Sequence, residues 1–165
     1  MAEADLTTVE QRMQPGEITL EGFLGSEARA LAAIIETDER TLSALALTHA
    51  SIAEKLDYLT AAGKDIHEQE RIVEGRYRLR VREDRGFLPC PFGDGLFRKG
   101  EVAMICIATG RTFYWSPLSL HMIRCHGFYG GRGSKYRLEP AEIAEVAGLS
   151  VGRKTNDKIP GEKGK

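Results

Sequence analysis

Long apolar runs are missing from this chain: nowhere in its 165 residues do about 18 consecutive apolar side chains occur, so no membrane-spanning helix is expected. Cysteine is scarce. Cys90, Cys106 and Cys125 form an odd, widely spaced trio, which argues against a disulfide framework and for a reducing cytoplasm. The N-terminus, Met1-Ala2-Glu3-Ala4-Asp5-Leu6, lacks the basic and then apolar regions of a secretory signal. Neither a P-loop nor a His-Glu-x-x-His sequence is present, so no single motif argues for nucleotide hydrolysis or zinc proteolysis.

What is there suits one domain with a real core: 42% of the residues are hydrophobic. The net charge of −1 hides an asymmetry. Residues 1–70 hold 5 Lys/Arg against 14 Asp/Glu, whereas residues 71–137 hold 13 against 5. The two halves either face each other, within one molecule or between subunits of a homo-oligomer, or the basic half faces an anionic partner, nucleic acid or an acidic protein surface. Pairing within the protein is the favoured reading, because charge alone seldom identifies nucleic-acid binding.

Residues 1–17 are polar, contain Pro15-Gly16 and are expected to be loose. Residues 18–63 read as helical. Ser26 can cap a helix bearing Leu31, Ile34 and Ile35, Thr37 can cap a segment bearing Leu42 and Leu45, and a helix from Thr48 carries Ile52, Leu56 and Leu59 up to a left-handed stop at Gly63. Residues 64–71 are a polar connection, and 72–148 form the sheet part. There, Arg76, Arg78, Arg80 and Arg82 alternate with Tyr77, Leu79 and Val81, a period of two that places the arginines on one strand face. Residues 101–108 read as a central strand, and Thr112-Phe113-Tyr114-Trp115 as the strand returning from the turn at Thr109-Gly110-Arg111. Ser116-Pro117 opens a helix that should stop at Gly127, and a last short helix fits 140–147. Residues 149–165 are polar and expected to be disordered. The fold class is α+β: an acidic helical part packed on a three-stranded antiparallel sheet, with the Ser116–His126 helix covering one face.

Groups capable of chemistry are dense in one place. The turn Pro89-Cys90-Pro91-Phe92-Gly93-Asp94-Gly95 carries a soft ligand, and the later helix carries His121, Cys125 and His126. His121 and Cys125 are one turn apart, whereas His121 and His126 lie about 140° apart round an ideal helix, so joint ligation requires a loosened last turn. A set of Cys90, His121 and His126 with Cys125 or Asp94 suits zinc. The order of Cys-bearing turn, β-hairpin and His-x4-His helix resembles the ββα zinc finger over about residues 88–127. That resemblance implies structural zinc. The chain departs from the pattern in having one cysteine in the first turn, with Asp94 as the nearest substitute, and 30 residues between Cys90 and His121.

Two further features suit anions. In the loop 127–137, glycines let backbone N–H groups approach an anion, Arg132, Lys135 and Arg137 supply charge, and Tyr129 and Tyr136 offer stacking faces. The arginine stripe at 76–82 could lie along a phosphate backbone. Residues 45–82 are similar to a helix-turn-helix or winged-helix unit, from Thr48 through Leu56 and Leu59 to Gly63 and then a strand. The would-be reading helix carries Glu54 and Asp57, which repel phosphate. The sequence thus points to a small cytosolic binding or regulatory protein, with structural zinc and a basic surface for an anionic partner. The alternative is a small enzyme with a Cys/His metal pocket whose glycine-rich loop holds an anionic substrate.

Overall fold

The computed structural model describes residues 5–149. The expected disordered tail lies, apart from Leu149, outside the described residues. The order of elements is α1 (Leu6–Arg12), α2 (Leu31–Ala44), α3 (His49–Gly63), β1 (Arg71–Val73), β2 (Tyr77–Pro89), β3 (Leu96–Cys106), β4 (Thr112–Trp115), α4 (Pro117–His126) and α5 (Pro140–Val146). The four strands form one antiparallel meander in the order β1-β2-β3-β4, so the fold is α+β. None of the described helices is long and apolar enough to cross a membrane.

The sheet has one strand more than expected. β1 pairs Arg71 with Leu79 and Val73 with Tyr77. The turn between them places both Glu74 and Gly75 at positive φ (60° and 65°), the left-handed pair that a tight hairpin requires. Glutamate is an unusual residue there, which is why the turn was not legible. The alternation along β2 holds: Tyr77, Leu79 and Val81 are buried while Arg78, Arg80 and Arg82 are exposed. Arg76 belongs to the turn. β3 is the central strand, paired to both β2 and β4.

The helical half differs in detail. Residues expected to be loose form α1, capped by the Asp5 carboxylate, which accepts the Thr7 N–H at 3.1 Å. Val9 and Met13 from this segment are fully buried. The two expected segments around Thr37 are one helix, α2, without a side-chain cap of its own. The Glu10 carboxylate of α1 instead accepts the Leu31 N–H at 3.1 Å. Ser26 is not a cap; its N–H donates to the Arg132 carbonyl at 2.9 Å. Gly63 is not left-handed either. It is the last residue of α3, and a Cβ there would come within 2.8 Å of the Leu79 Cβ, so glycine permits α3 to lie directly on β2. Thr48 and Ser51 do form the capping box that starts α3.

Apolar burial divides into two clusters. The main core joins α3 to the inner face of the sheet, with Trp115, Tyr77 and Leu79 against Leu56 and Leu59; the Trp115 indole N–H donates to Thr60 Oγ1 at 2.8 Å. The second cluster gathers Val9, Met13, Leu31 and Ile34 with Cys90, Leu118, Met122 and Phe128. α4 serves both, giving Leu120 and Ile123 to the first and Leu118 and Met122 to the second.

The acidic and basic halves meet inside one chain. Arg137 forks onto Asp38 of α2 at 2.7 and 3.0 Å, with side chains only 6% and 3% exposed. Arg137 also binds the Gly130 carbonyl and Glu139. Burial alone would lower the Arg137 pKa; the hydrogen bonds it donates to Asp38 and Glu139 outweigh it and hold the guanidinium charged. Asp38→Ala leaves that cation buried without its main partner. We predict a loss of about 3–5 kcal/mol in urea unfolding, and a loss below 1 kcal/mol would show that the pair contributes little.

Candidate metal centre

The β2–β3 hairpin projects past the sheet and ends in a tight knuckle. The Cys90 N–H donates to the Gly95 carbonyl and the Gly93 N–H to the Cys90 carbonyl, both at 2.9 Å. Gly93 takes φ +83°, a left-handed conformation that glycine adopts without strain. This winding turns the Cys90 thiol and the Asp94 carboxylate toward α4. The Phe92 N–H points at Cys90 Sγ from 3.4 Å. Arg12 of α1 braces the outside by donating to the Pro91 carbonyl at 2.9 Å.

α4 supplies the other half. Ser116 and Ser119 form its capping box, with Pro117 at the first turn. At its end the Gly127 N–H reaches the Ile123 and Met122 carbonyls together and the Phe128 N–H reaches that of Met122, closures wider than those of a Schellman motif. The last turn of α4 is therefore widened toward π-type spacing, as joint ligation by His121 and His126 requires. The two imidazoles converge because Asp94 lies between them, with His121 Nε2 at 3.0 Å from Oδ1 and His126 Nε2 at 2.8 Å from Oδ2.

Cys90, Asp94, His121 and His126 thus bring one ligand atom each to within 4.8 Å of one another. A tetrahedral zinc site with ordinary bond lengths has ligand atoms about 3.3–3.6 Å apart, so small side-chain movements suffice to close the set. This group can hold a metal ion. Each imidazole is also clamped by an aromatic ring of the hairpin. Phe92 stacks on His126 at 3.9 Å and 4°, and Phe97 stacks on His121 at 4.1 Å and 26°. Sequence reasoning missed these two phenylalanines; the signal was their position just inside and just after the knuckle.

Cys125 does not join the group and is exposed. The buried arc of α4 runs from Leu118 and Met122 through Ser119 and Ile123 to Leu120, which leaves Cys125 just beyond its edge with a side chain too short to reach back. Cys90, by contrast, is 2% exposed. Burial pushes its thiol up to about 12, with the nearby Asp94 adding to the rise. Asp94 falls to about 2: partial burial opposes ionisation, but hydrogen bonds from His121, Cys90 and His126 prevail. The thiol is protonated at neutral pH without a metal, so it is no nucleophile.

The anion-binding residues expected from sequence are largely engaged elsewhere. Arg137 is buried in its ion pair. Arg132 lies 3.6 Å from Glu139, and Lys135 donates to Glu101 at 2.7 Å. Tyr129 is buried, its hydroxyl 2.9 Å from His49 Nδ1, and the half-buried Tyr136 donates its hydroxyl to Glu101 at 2.7 Å. The glycines of this loop serve close packing: a Cβ on Gly131 would sit 2.2 Å from the Leu24 carbonyl oxygen. Along the stripe, Arg78 lies 3.8 Å from Glu70, Arg80 donates to the Glu68 carbonyl, and Arg82 forks onto Asp84. Arg76 covers the Tyr77 ring. In the segment likened to a winged helix, Asp57 of α3 is bound by Arg124 of α4.

No protein-family model, curated protein or solved structure matches this chain. The chemistry of the site must stand on its own geometry.

In the metal-free protein the exposed Cys125 should react rapidly with a disulfide reagent at pH 8, while Cys90 reacts only at the rate of opening. The Cys90 thiol keeps its proton longer in the folded than in the unfolded state. Its contribution to stability is therefore complete below the ordinary thiol value of 9.0 and fades as pH rises from there to about 12. Prompt labelling of Cys90 in the native protein, read by peptide mass mapping, would contradict this burial.

Proposed function

We propose that the protein is a small cytosolic binding or regulatory protein organised by one structural zinc ion on Cys90, Asp94, His121 and His126. The observation that carries this reading is the convergence of four ligand atoms from two separate elements. Zinc is favoured because it takes a thiolate, two imidazoles and a carboxylate together in tetrahedral coordination. A structural role is favoured over a catalytic one because the protein itself supplies all four ligands, whereas a catalytic zinc keeps a position open. Its physical effect would be to fasten the hairpin tip to α4 across the second apolar cluster. The stacked Phe92 and Phe97 would hold the imidazoles in orientation, as outer partners do in metal sites.

The partner in this reading is anionic, nucleic acid or an acidic protein surface. The support comes from the projecting hairpin. Among the described residues, Arg85, Arg98 and Lys99 have no carboxylate within 4.0 Å, unlike Arg78 and Arg82 of the stripe. Their charge is available to phosphate or carboxylate in a way that Arg137 is not.

Elemental analysis of protein purified without chelator should give one zinc per chain. At a free zinc concentration of 100 times Kd, zinc adds about 2.7 kcal/mol, which for a chain of this size raises Tm by about 5–10 °C. Cys90→Ser and His121→Ala should abolish that rise. Because binding displaces the Cys90 proton, the apparent affinity should increase at least about tenfold per pH unit between 7 and 9. An equal Tm rise in both variants would disprove the ligand assignment. For the partner, retention on immobilised nucleic acid or on polyglutamate should fall on changing Arg85, Arg98 and Lys99 together and fall steeply with salt. Retention of the triple variant equal to that of the unaltered protein would refute the basic surface.

A further inference from the structure

A cavity of about 370 Å³ lies beside the metal centre without being part of it. Its inner wall is apolar, made by Leu88 of β2, Leu118 and Met122 of α4, and Phe128. The segment 19–25 closes one side, and residues 130–136 of the glycine-rich loop close another. The rim is charged: Arg82, Arg98, Lys99 and Lys135 stand against Glu21 and Asp84, a balance of +2.

Two of those cations are already used. Arg82 forks onto Asp84 and lies 3.6 Å from Glu101, and Lys135 donates to Glu101. Arg98 and Lys99 have no carboxylate within 4.0 Å among the described residues; Arg98 only covers the exposed ring of Phe87. In a regular strand two consecutive side chains point to opposite faces. Here the β2–β3 register breaks, with Glu83 opposite Gly100 and Phe87 opposite Arg98, so that Asp84, Arg85 and Gly86 together oppose Lys99. Arg98 and Lys99 both line the cavity beside this bulge. The nearby polar pair, Ser116 and Ser119, is spent on capping α4.

We infer that this cavity binds a small molecule with an apolar body and one anionic head, a medium-chain or aryl carboxylate or sulfonate. The body would lie against Leu88, Leu118, Met122 and Phe128, and the head would meet Arg98 and Lys99 at the rim. The volume falls in the range of small-molecule sites, and the combination of apolar walls with a few convergent polar groups is what such sites share. A peptide or nucleic-acid strand would not enter, because segment 19–25 and the glycine-rich loop wall the space on two sides. The inference needs neither zinc nor a macromolecular partner. α4 links the two sites, however, since Leu118 and Met122 face the cavity while His121 and His126 face the knuckle.

The test is calorimetric titration of the full chain, as purified, with octanoate, and with octanamide as its uncharged counterpart. One octanoate per chain is expected, with octanamide at least about tenfold weaker. Arg98→Gln with Lys99→Gln should weaken octanoate by about tenfold to a hundredfold, the range for losing charge-assisted hydrogen bonds, and leave octanamide unchanged. The two single variants, each expected to lose part of the effect, decide the matter if the double variant is not folded. Amide resonances of Leu118, Met122 and Phe128 should shift on saturation. The inference is overturned if octanoate shows no saturable binding, if octanamide binds equally well, or if the double variant binds octanoate as the unaltered protein does. Zinc content measured on the same samples separates a failure of this site from a failure of the metal site.

Discussion

The attachment of the β2–β3 hairpin tip to α4 is the contact on which the rest of this structure depends. The hairpin runs well beyond the sheet, and its outer half cannot be held by strand pairing with β1 or β4. It is held by a knuckle that aims Cys90 and Asp94 at His121 and His126, and by Phe92 and Phe97 stacking on those imidazoles. Around that contact α1, the start of α2 and Phe128 complete the second apolar cluster. A cluster of this size buries little beyond what ordering its segments costs. A cross-link between the two elements that frame it therefore has a large effect on whether it forms, which is the usual reason for a structural metal in a small core.

Electrostatics sort the remaining charges. A chain divided so sharply into an acidic and a basic half invites an external partner as explanation. Much of the division is nevertheless resolved internally, by Arg137 on Asp38, Arg124 on Asp57 and Arg71 on Asp65. The most deeply buried of these, Arg137 with Asp38, ties the glycine-rich loop to the helical half. Exposed pairs contribute little to stability; their consequence is to remove most of the basic residues from the set available to ligands. What remains concentrates at the β2–β3 bulge, where Arg85, Arg98 and Lys99 face solvent or the cavity.

Sequence patterning reached the α+β class, the bounds of α3, α4 and α5, and the face of β2 that turns inward, because each rests on local signals: capping boxes, proline at a first turn, and a period of two. It also reached the four residues that the fold brings together as a group able to hold a metal ion, because soft ligands in a tight turn and histidines on a short helix are conspicuous among so few of their kind. It did not reach β1, whose turn uses Glu74 at positive φ, nor α1, whose burial depends on Leu31 and Ile34 of α2 and on Cys90, Leu118, Met122 and Phe128 much further along the chain. It placed Cys125 with the ligands because an ideal helix puts it between the two histidines, whereas tertiary packing rotates α4 so that Ser119 and Ile123 face inward. The glycine-rich loop looked like an anion cradle, yet Gly131 and Gly25 are explained by two backbone segments in contact. Distance along the chain hid that contact.

The central claim is that Cys90, Asp94, His121 and His126 bind one ion together, in tetrahedral geometry. The most direct measurement is the visible and near-ultraviolet spectrum of the protein loaded with one equivalent of cobalt(II) as a zinc surrogate. Intense ligand-field bands of a tetrahedral ion with a thiolate-to-cobalt charge-transfer band are expected, the latter lost in Cys90→Ser and both bleached by added zinc. Weak bands of a six-coordinate ion, or a thiolate band that survives Cys90→Ser, would contradict the central claim.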